Sequence, residues 1–578
     1  MKHRLIFTAI ILPCLGTTPL QAQTYTKDVD VTVELQPELR AASRLDIRPV
    51  TLSKSFPASS LRYNGTALPM PVTPMIGTLP PVAGDPIYSP SDYDGYLVAG
   101  YYPWADFGVS AGYRLVNTRS TRLEAWTQLS RNRYKEHTGT DASSPRARVA
   151  TTDFDLGLDF SSTSRYGTLS AATSLYMSHF NYPSGLLDPA TQNSYRYRLG
   201  AGWHSTLDET SSGWALEGNL DWFAFGKACF PVDFENTIDN PKGLRQTTGN
   251  IKASGQLMFN DAFGMGLSVG YTGSHVSNRY QHMPGIREFH AIGGYSPGII
   301  SIGASFRFNA QSFAGHIGPV IDISTGDISG THTGARGVLD WNISRYVRLF
   351  TTVESGTRLN TLGELYDINR YAAPLASARP SFLNGDVKAG VSVGPFKGFS
   401  ITARGGFSSA ADWALPALAD GVSTFATTDL STAYYSVELK YDRGHRLSAR
   451  AILEGAVNND IDHAYYRWND RASQVLDLSV SWSPLDELSL EGGFELRRGR
   501  RICDITSMQE DIQQPVTTTY AFMPLGRVMG GRIGATYNID ETIAVWGRLD
   551  GIGQGRYLQA GAMPGLRMHG LVGITLRF

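Results

Sequence analysis

The sequence predicts an all-β protein, a transmembrane antiparallel β-barrel of about 22 strands behind a short proline-rich periplasmic segment. Three observations carry that prediction. Past the N-terminus the 578-residue chain has no apolar run of roughly 18 residues, although 42% of it is hydrophobic and its mean hydropathy is −0.18. A helical membrane protein is thereby excluded, whereas a barrel alternates apolar with polar residues and escapes hydropathy windows. From Asp94 to the end the pattern has period two, again and again. The connections alternate between tight turns and long polar links, as in barrels with short periplasmic turns and long external loops.

Composition narrows the function classes. Lys+Arg number 51 against 52 Asp+Glu, a net charge of −1 that argues against a nucleic-acid partner. Aromatics at 11% and balanced charge argue against disorder.

The first element is a leader. Lys2, His3 and Arg4 form a basic region, Leu5 to Leu12 an apolar one, and the stretch that follows runs through Pro13 and Pro19 to Leu20-Gln21-Ala22. Residues 1–22 thus read as a secretory signal peptide, cut between Ala22 and Gln23. Eight apolar residues are too few to cross a ~30 Å hydrocarbon core. Cys14 lies in this leader and follows Pro13, a poor match to a lipoprotein cleavage box. Cys229 and Cys503 are left in the mature chain, too few for a disulfide framework and wrongly spaced for a metal site. They could form one bond in an oxidising compartment, and each falls in a long link, hence on the outside.

Residues 23–93 are the second region. Ten prolines in 71 residues, against 17 in the 485 that follow, prevent regular helix or central strand. Val29, Val31, Val33 and Leu35 alternate with polar residues and read as one short strand. It is either the edge of a small periplasmic fold or a strand offered to a partner by β-augmentation.

Residues 94–578 are the barrel. In the last strand Leu566, Met568, Gly570, Val572, Ile574, Leu576 and Phe578 hold the even positions, and Arg567, His569, Thr575 and Arg577 lie among the odd ones. One face suits lipid and the other water, over more residues than a globular strand uses. The same alternation runs through Ala433–Asp442, Glu487–Arg497 and Phe399–Ser408. Tight turns are expected at 161–165, 394–398, 442–445, 483–487 and 538–541. Long links are expected at 182–193, 227–243, 357–377, 409–427, 458–470 and 500–522. Tyr101, Tyr102 and Trp104, Phe180 and Tyr182, Trp222, Phe223 and Phe225, and Tyr465, Tyr466 and Trp468 read as interfacial girdles.

Asp94-Gly-Tyr-Leu-Val-Ala-Gly-Tyr-Tyr-Pro, continuing through Ala111-Gly-Tyr-Arg-Leu and Trp126 to Tyr134, resembles the barrel entry of TonB-dependent-receptor-like outer-membrane proteins. Gly573-Ile-Thr-Leu576-Arg-Phe578 looks like the terminal signal read by the outer-membrane insertion machinery, with Gly573, Leu576 and Phe578 as its key positions. The resemblance covers residues 94–578 and implies the outer membrane of a Gram-negative bacterium, contact with its lipid, and transport as the activity. One departure matters. Those receptors carry an N-terminal plug of well over a hundred residues and a box gripped by an energy-transducing partner, whereas only 71 residues precede this barrel. A lumen of this width is normally plugged, so either residues 23–93 and the long loops occlude it or another protein does.

Catalytic and cofactor-binding sites are not expected. Gly108-Val-Ser110-Ala-Gly112, Gly266-Leu-Ser268-Val-Gly270 and Gly390-Val-Ser392-Val-Gly394 match G-x-S-x-G, but a nucleophile needs a sharp strand-to-helix turn and all three lie in alternating strands. Asp460 and Asp462 could offer oxygens to calcium, yet the loop lacks the glycine and distal glutamate of an EF-hand and reads as solvated surface. Lys388, Arg404, Glu438, Arg450, Glu491 and Arg548 should line a wet lumen. Two functions of different class remain: a passive or partner-gated transport barrel for an unidentified solute, or a structural or assembly component. In the second, residues 23–93 recruit a periplasmic partner; in the first they could engage an energy-transducing one.

Overall fold

The computed structural model describes residues 93–578 apart from 103–105, 119, 141–142, 206–211, 234, 237, 283–287, 311, 375–378, 445, 459–471, 509–516 and 560–562. The leader, the proline-rich segment with its Val29–Leu35 strand, and the Asp460–Asp462 loop lie outside the described residues.

Alternation becomes wall. Twenty-two strands form the ring: β1 Gly95–Tyr102, β2 Asp106–Asn117, β3 Thr121–His137, β4 Arg146–Ser164, β5 Gly167–Asn181, β6 Thr191–His204, β7 Gly213–Phe225 and β8 Arg245–Met258. They continue with β9 Phe263–Ser277, β10 Pro297–Asn309, β11 Phe313–Gly326, β12 Gly330–Ser344, β13 Val347–Arg358, β14 Ser381–Phe396, β15 Phe399–Ala419 and β16 Val422–Asp442. The last six are β17 Leu447–Asn458, β18 Gln474–Trp482, β19 Leu488–Arg498, β20 Val528–Asn538, β21 Ile543–Ile552 and β22 His569–Arg577. Each pairs antiparallel with the next. The ring closes where β22 meets β1, with Leu97 opposite Leu576 and Tyr101 opposite Val572. Closure leaves no unpaired edge to seek another chain.

The five tight turns expected from the sequence all connect an even strand to the next odd one, and so lie at one end of the barrel. The six long links all lie at the other. In the C-terminal strand Met568, Val572 and Ile574 are exposed to the outside, while Leu571 and Thr575 are buried on the inner face. The even face is therefore the lipid-facing one, as the alternation predicts. At odd position 573 only glycine fits, because a Cβ would sit 2.2 Å from Trp546 Cζ2 and 2.5 Å from the Ala99 carbonyl.

Two expected links are more ordered than loops. Residues 409–427 are not a link, because β15 and β16 run 21 residues each and carry their pairing on to a tight turn at Asp420-Gly421. Within 500–522, Arg501–Met508 and Thr517–Pro524 make a hairpin whose first strand pairs in parallel with the tip of β15, Leu418 opposite Asp504. The gain is apolar burial: Leu415 and Ala417 cover Cys503, and Leu418 packs with Ile502, Leu525 and Leu558.

Candidate functional site: the lumen and its capped mouth

The inner wall is polar because every second residue must face it. Lumenal charges pair across neighbouring positions: Lys388 Nζ with Asp386 at 2.7 Å, Arg450 Nε with Glu438 at 2.6 Å, Arg404 with Glu454 at 3.3 Å and Arg548 with Asp550 at 2.6 Å. Lumenal placement of the strand charges named from the sequence follows directly from the period of two.

At the long-link end the chain folds inward over the mouth. Between β13 and β14 lies one helix, α1 Leu362–Ile368. Thr361 caps it, accepting from the Glu364 backbone N–H, while the Glu364 carboxylate accepts from the Thr361 N–H. The helix leaves its own strands and docks on another arc of the ring, against the inner faces of β4 to β8. Arg196 of β6 donates to Asp221 of β7 at 3.0 Å and to Asp367 of α1 at 2.9 Å. Arg370, just past α1, donates to both carboxylate oxygens of Asp153 on β4 at 3.0 Å. Asp153 also accepts from Tyr176 and Ser178 of β5, so its charge is well satisfied. Ser194 donates to the Tyr366 hydroxyl at 2.9 Å, and the Leu362 N–H donates to Gln246 of β8. On the far side Asn369 donates to Ser423 of β16 at 2.7 Å. The segment 359–374 is thus a chord folded in at the mouth, tied to β4–β8 and, through Asn369, to the tip of β16.

Gly363 makes this approach possible. A Cβ there would lie 2.5 Å from the Arg196 guanidinium carbon, so a side chain would displace either the guanidinium from its carboxylates or α1 from the wall. Around the chord an apolar knot forms from residues distant in the ring: Phe180 of β5, Phe223 and Phe225 of β7, Val276 of β9, Val422 of β16 and Met563 of the β21–β22 link. Tyr366 stands at its centre, 5.2 Å from the Phe223 ring and 6.0 Å from Phe180. Phe180, Tyr182, Phe223 and Phe225 are therefore not a girdle. Phe180 and Phe223 point inward by parity and all four are buried in the cap. Tyr101, by contrast, is exposed on the outer wall as an interfacial aromatic should be.

Electrostatics follow burial. Withdrawal from water raises the Asp367 carboxyl above its ordinary value, against the pull of Arg196. Burial works against the Arg370 cation as well, but Asp153 and the surrounding tyrosine hydroxyls outweigh it and hold the proton more tightly. Burial pushes the Tyr371 hydroxyl and the Cys229 thiol each to about 12.

Cys229 and Cys503 both lie in long links, but they do not pair. Both are free and buried. Cys229 sits in the cap, where Gln192 donates to its sulfur, and Cys503 sits under β15 in a separate apolar cluster. Ser110, Ser268 and Ser392 lie inside β2, β9 and β14, and Ser392 hydrogen-bonds Thr402 across the sheet at 3.0 Å. None stands on a strand-to-helix turn. The sequence reading missed α1, although Thr361-Leu-Gly-Glu364 is a capping-box signature.

No protein-family model and no curated protein matches the chain. Solved structures do. The FrpB iron transporter of Neisseria meningitidis aligns with a TM-score of 0.62 at 8% identity, covering 84% of this chain and 81% of that one. The siderophore receptor PirA of Acinetobacter baumannii gives 0.59 at 10% identity, covering 84% and 80%. The ferric enterobactin receptor of Pseudomonas aeruginosa, solved with enterobactin, gives 0.58 at 12% identity, covering 84% and 81%. The chain has the barrel fold of these receptors, in agreement with the resemblance read from its strands.

Proposed function

We propose that the protein is a transport barrel of the Gram-negative outer membrane, closed at its external mouth by its own loops and opened when the 359–374 chord is released. The observation that carries this is the chord itself, an inward-folded segment held at the mouth by the Arg370–Asp153 pair and by the Asn369–Ser423 and Ser194–Tyr366 hydrogen bonds. A purely structural anchor has no need of a wet, charged lumen beneath a latched cover. The solved receptors of the same fold are named for iron and siderophore uptake, which supports transport and leaves the solute of this chain unassigned. In the same proposal residues 1–22 direct export, Gly573, Leu576 and Phe578 guide insertion, and residues 23–93 meet a periplasmic or energy-transducing partner.

Planar-bilayer conductance of the purified barrel tests the reading. The wild type should conduct little. A variant with Leu362–Ile368 replaced by Gly-Ser repeats should conduct steadily while keeping the heat-modifiable mobility of a folded barrel. A wild type that is already fully open, or a folded variant that stays closed, would reject gating by this segment.

A further inference from the structure

The outer wall of β3 and β4 breaks the apolar pattern in one direction only. On β3 the outward positions run Leu123, Ala125, Thr127, Leu129, and then Arg131, Arg133, Lys135 and His137 toward the long-link end. On β4 they run Arg146, Arg148, Ala150, Thr152, and then Phe154, Leu156, Leu158 and Phe160 away from it. The register sets these runs side by side: Arg133 opposite Ala150, Lys135 opposite Arg148, and His137 opposite Arg146. Five basic side chains therefore stand on four rungs of one two-strand ribbon, above the Leu129–Phe154 rung and then exposed Leu156 and Leu158. The outward positions of β3, β4 and β5 carry no Asp or Glu at all. On the same end of the outer wall, β8 and β19 offer one cation each, Arg245 and Arg498, and Arg498 is engaged by Gln474.

Such an arrangement has a cost. Like charges directly opposite in an antiparallel pair destabilise it, and Lys135 faces Arg148. The Arg131 Nε is buried without a hydrogen-bond partner, and Arg146 spends one donor on the neighbouring His137 ring at 3.1 Å. Snorkelling alone would spread cations around the rim. Concentrating them on one ribbon calls for an anion that reaches several at once. A ligand that fits both halves of the ribbon has negative oxygens at the level of Arg131 to Arg148 and hydrocarbon alongside Phe154 to Phe160.

We infer that this ribbon binds the phosphorylated headgroup of a lipid in the leaflet on the long-link side, with Arg133, Lys135, Arg146 and Arg148 gripping phosphate and the belt below holding the acyl chains. The inference rests on the membrane placement proposed above, and its test reads that placement separately. The probe is lipid A, bis-phosphorylated, mixed into phosphatidylcholine nanodiscs with the full chain and followed by native mass spectrometry. The wild type should retain lipid A through detergent stripping. The variant carrying Arg133→Gln, Lys135→Gln, Arg146→Gln and Arg148→Gln should lose at least about tenfold of that retention, since each basic group near an anionic surface contributes measurably. A control carrying Arg245→Gln and Arg498→Gln should retain it. Heat-modifiable mobility of all three reports whether the barrel is folded and inserted, so failure to insert is seen as failure of the membrane reading. Equal retention by a folded quadruple variant, equal retention of dephosphorylated lipid A, or displacement by inorganic phosphate at millimolar concentration would each overturn the inference.

Discussion

Replacing Arg370 by alanine removes the donor that satisfies both oxygens of Asp153 and leaves a mostly buried carboxylate facing only Tyr176 and Ser178. Breaking one partner of a buried pair costs roughly 3–5 kcal/mol, enough to undock the chord. Single-channel recordings of Arg370→Ala should show long openings absent from the wild type. Asp367 behaves differently. Burial raises its docked carboxyl above the ordinary 3.8, so the docked state binds the proton more tightly than the released one. That stabilisation is complete below the released pKa and is lost as pH rises through the docked value. In the open Arg370→Ala background acidification should therefore lower conductance, and adding Asp367→Asn should lower it as well and remove that dependence. Openings that increase on acidification would contradict the assignment. The thiols report on the same event: with Cys229 buried in the cap and pushed to about 12, an impermeant maleimide should label it on intact cells only slowly. In Arg370→Ala the rate should rise. Lipid-side and lumen-side residues also part company: Val572→Arg should cost about 2–4 kcal/mol, while Arg450→Gln, exposed in the lumen beside Glu438, should cost under about 1. Heat-modifiable yield separates the two. Thr575→Arg should also be costly, since Thr575 is buried on the inner face.

At the level of elements, the strands were legible and the chord was not, for a physical reason. A strand between lipid and water repeats its contrast every second residue, so Val572-Gly-Ile574-Thr-Leu576 declares itself. The cap is assembled by contacts between residues far apart in sequence, such as Tyr366 with Phe223 and Val422 with Met563, and no period records them. Phe180 and Phe225 look like girdle aromatics until the opposing helix is in place. The local signal that did exist was the capping box at Thr361–Glu364, too short to rank as an element without its tertiary partners. The extension of β15 and β16 was hidden likewise, since its support comes from the 501–524 hairpin. For α1 the decisive position is Gly363. Gly363→Leu would drive a side chain into the Arg196 guanidinium, so the helix should undock with both ion pairs still encoded. Conductance of Gly363→Leu should approach that of the Gly-Ser replacement, and a closed channel would mean that α1 is not the cover.

The whole molecule is a ring completed by β1 and β22, with Tyr96 opposite Arg577 and Tyr101 opposite Val572. Every described strand of that ring begins at or after Gly95, so we expect insertion and closure to proceed without residues 28–90. Residues 23–93 then have two roles open to them, a second cover or a handle for a periplasmic partner. Deleting residues 28–90, with the leader and cleavage site kept, separates the two once the chord is accounted for. The deletion alone should yield a protease-resistant barrel with the wild type's low conductance, because the mouth stays capped by 359–374. Combined with Arg370→Ala, a handle predicts the conductance of Arg370→Ala unchanged, together with loss of a co-purifying periplasmic protein. A second cover predicts a further rise and no lost partner. We expect the handle, because the chord already joins β4–β8 to the tip of β16 at the mouth. A deletion protein that never reaches the outer membrane would place the segment within the barrel's own folding unit and end both versions.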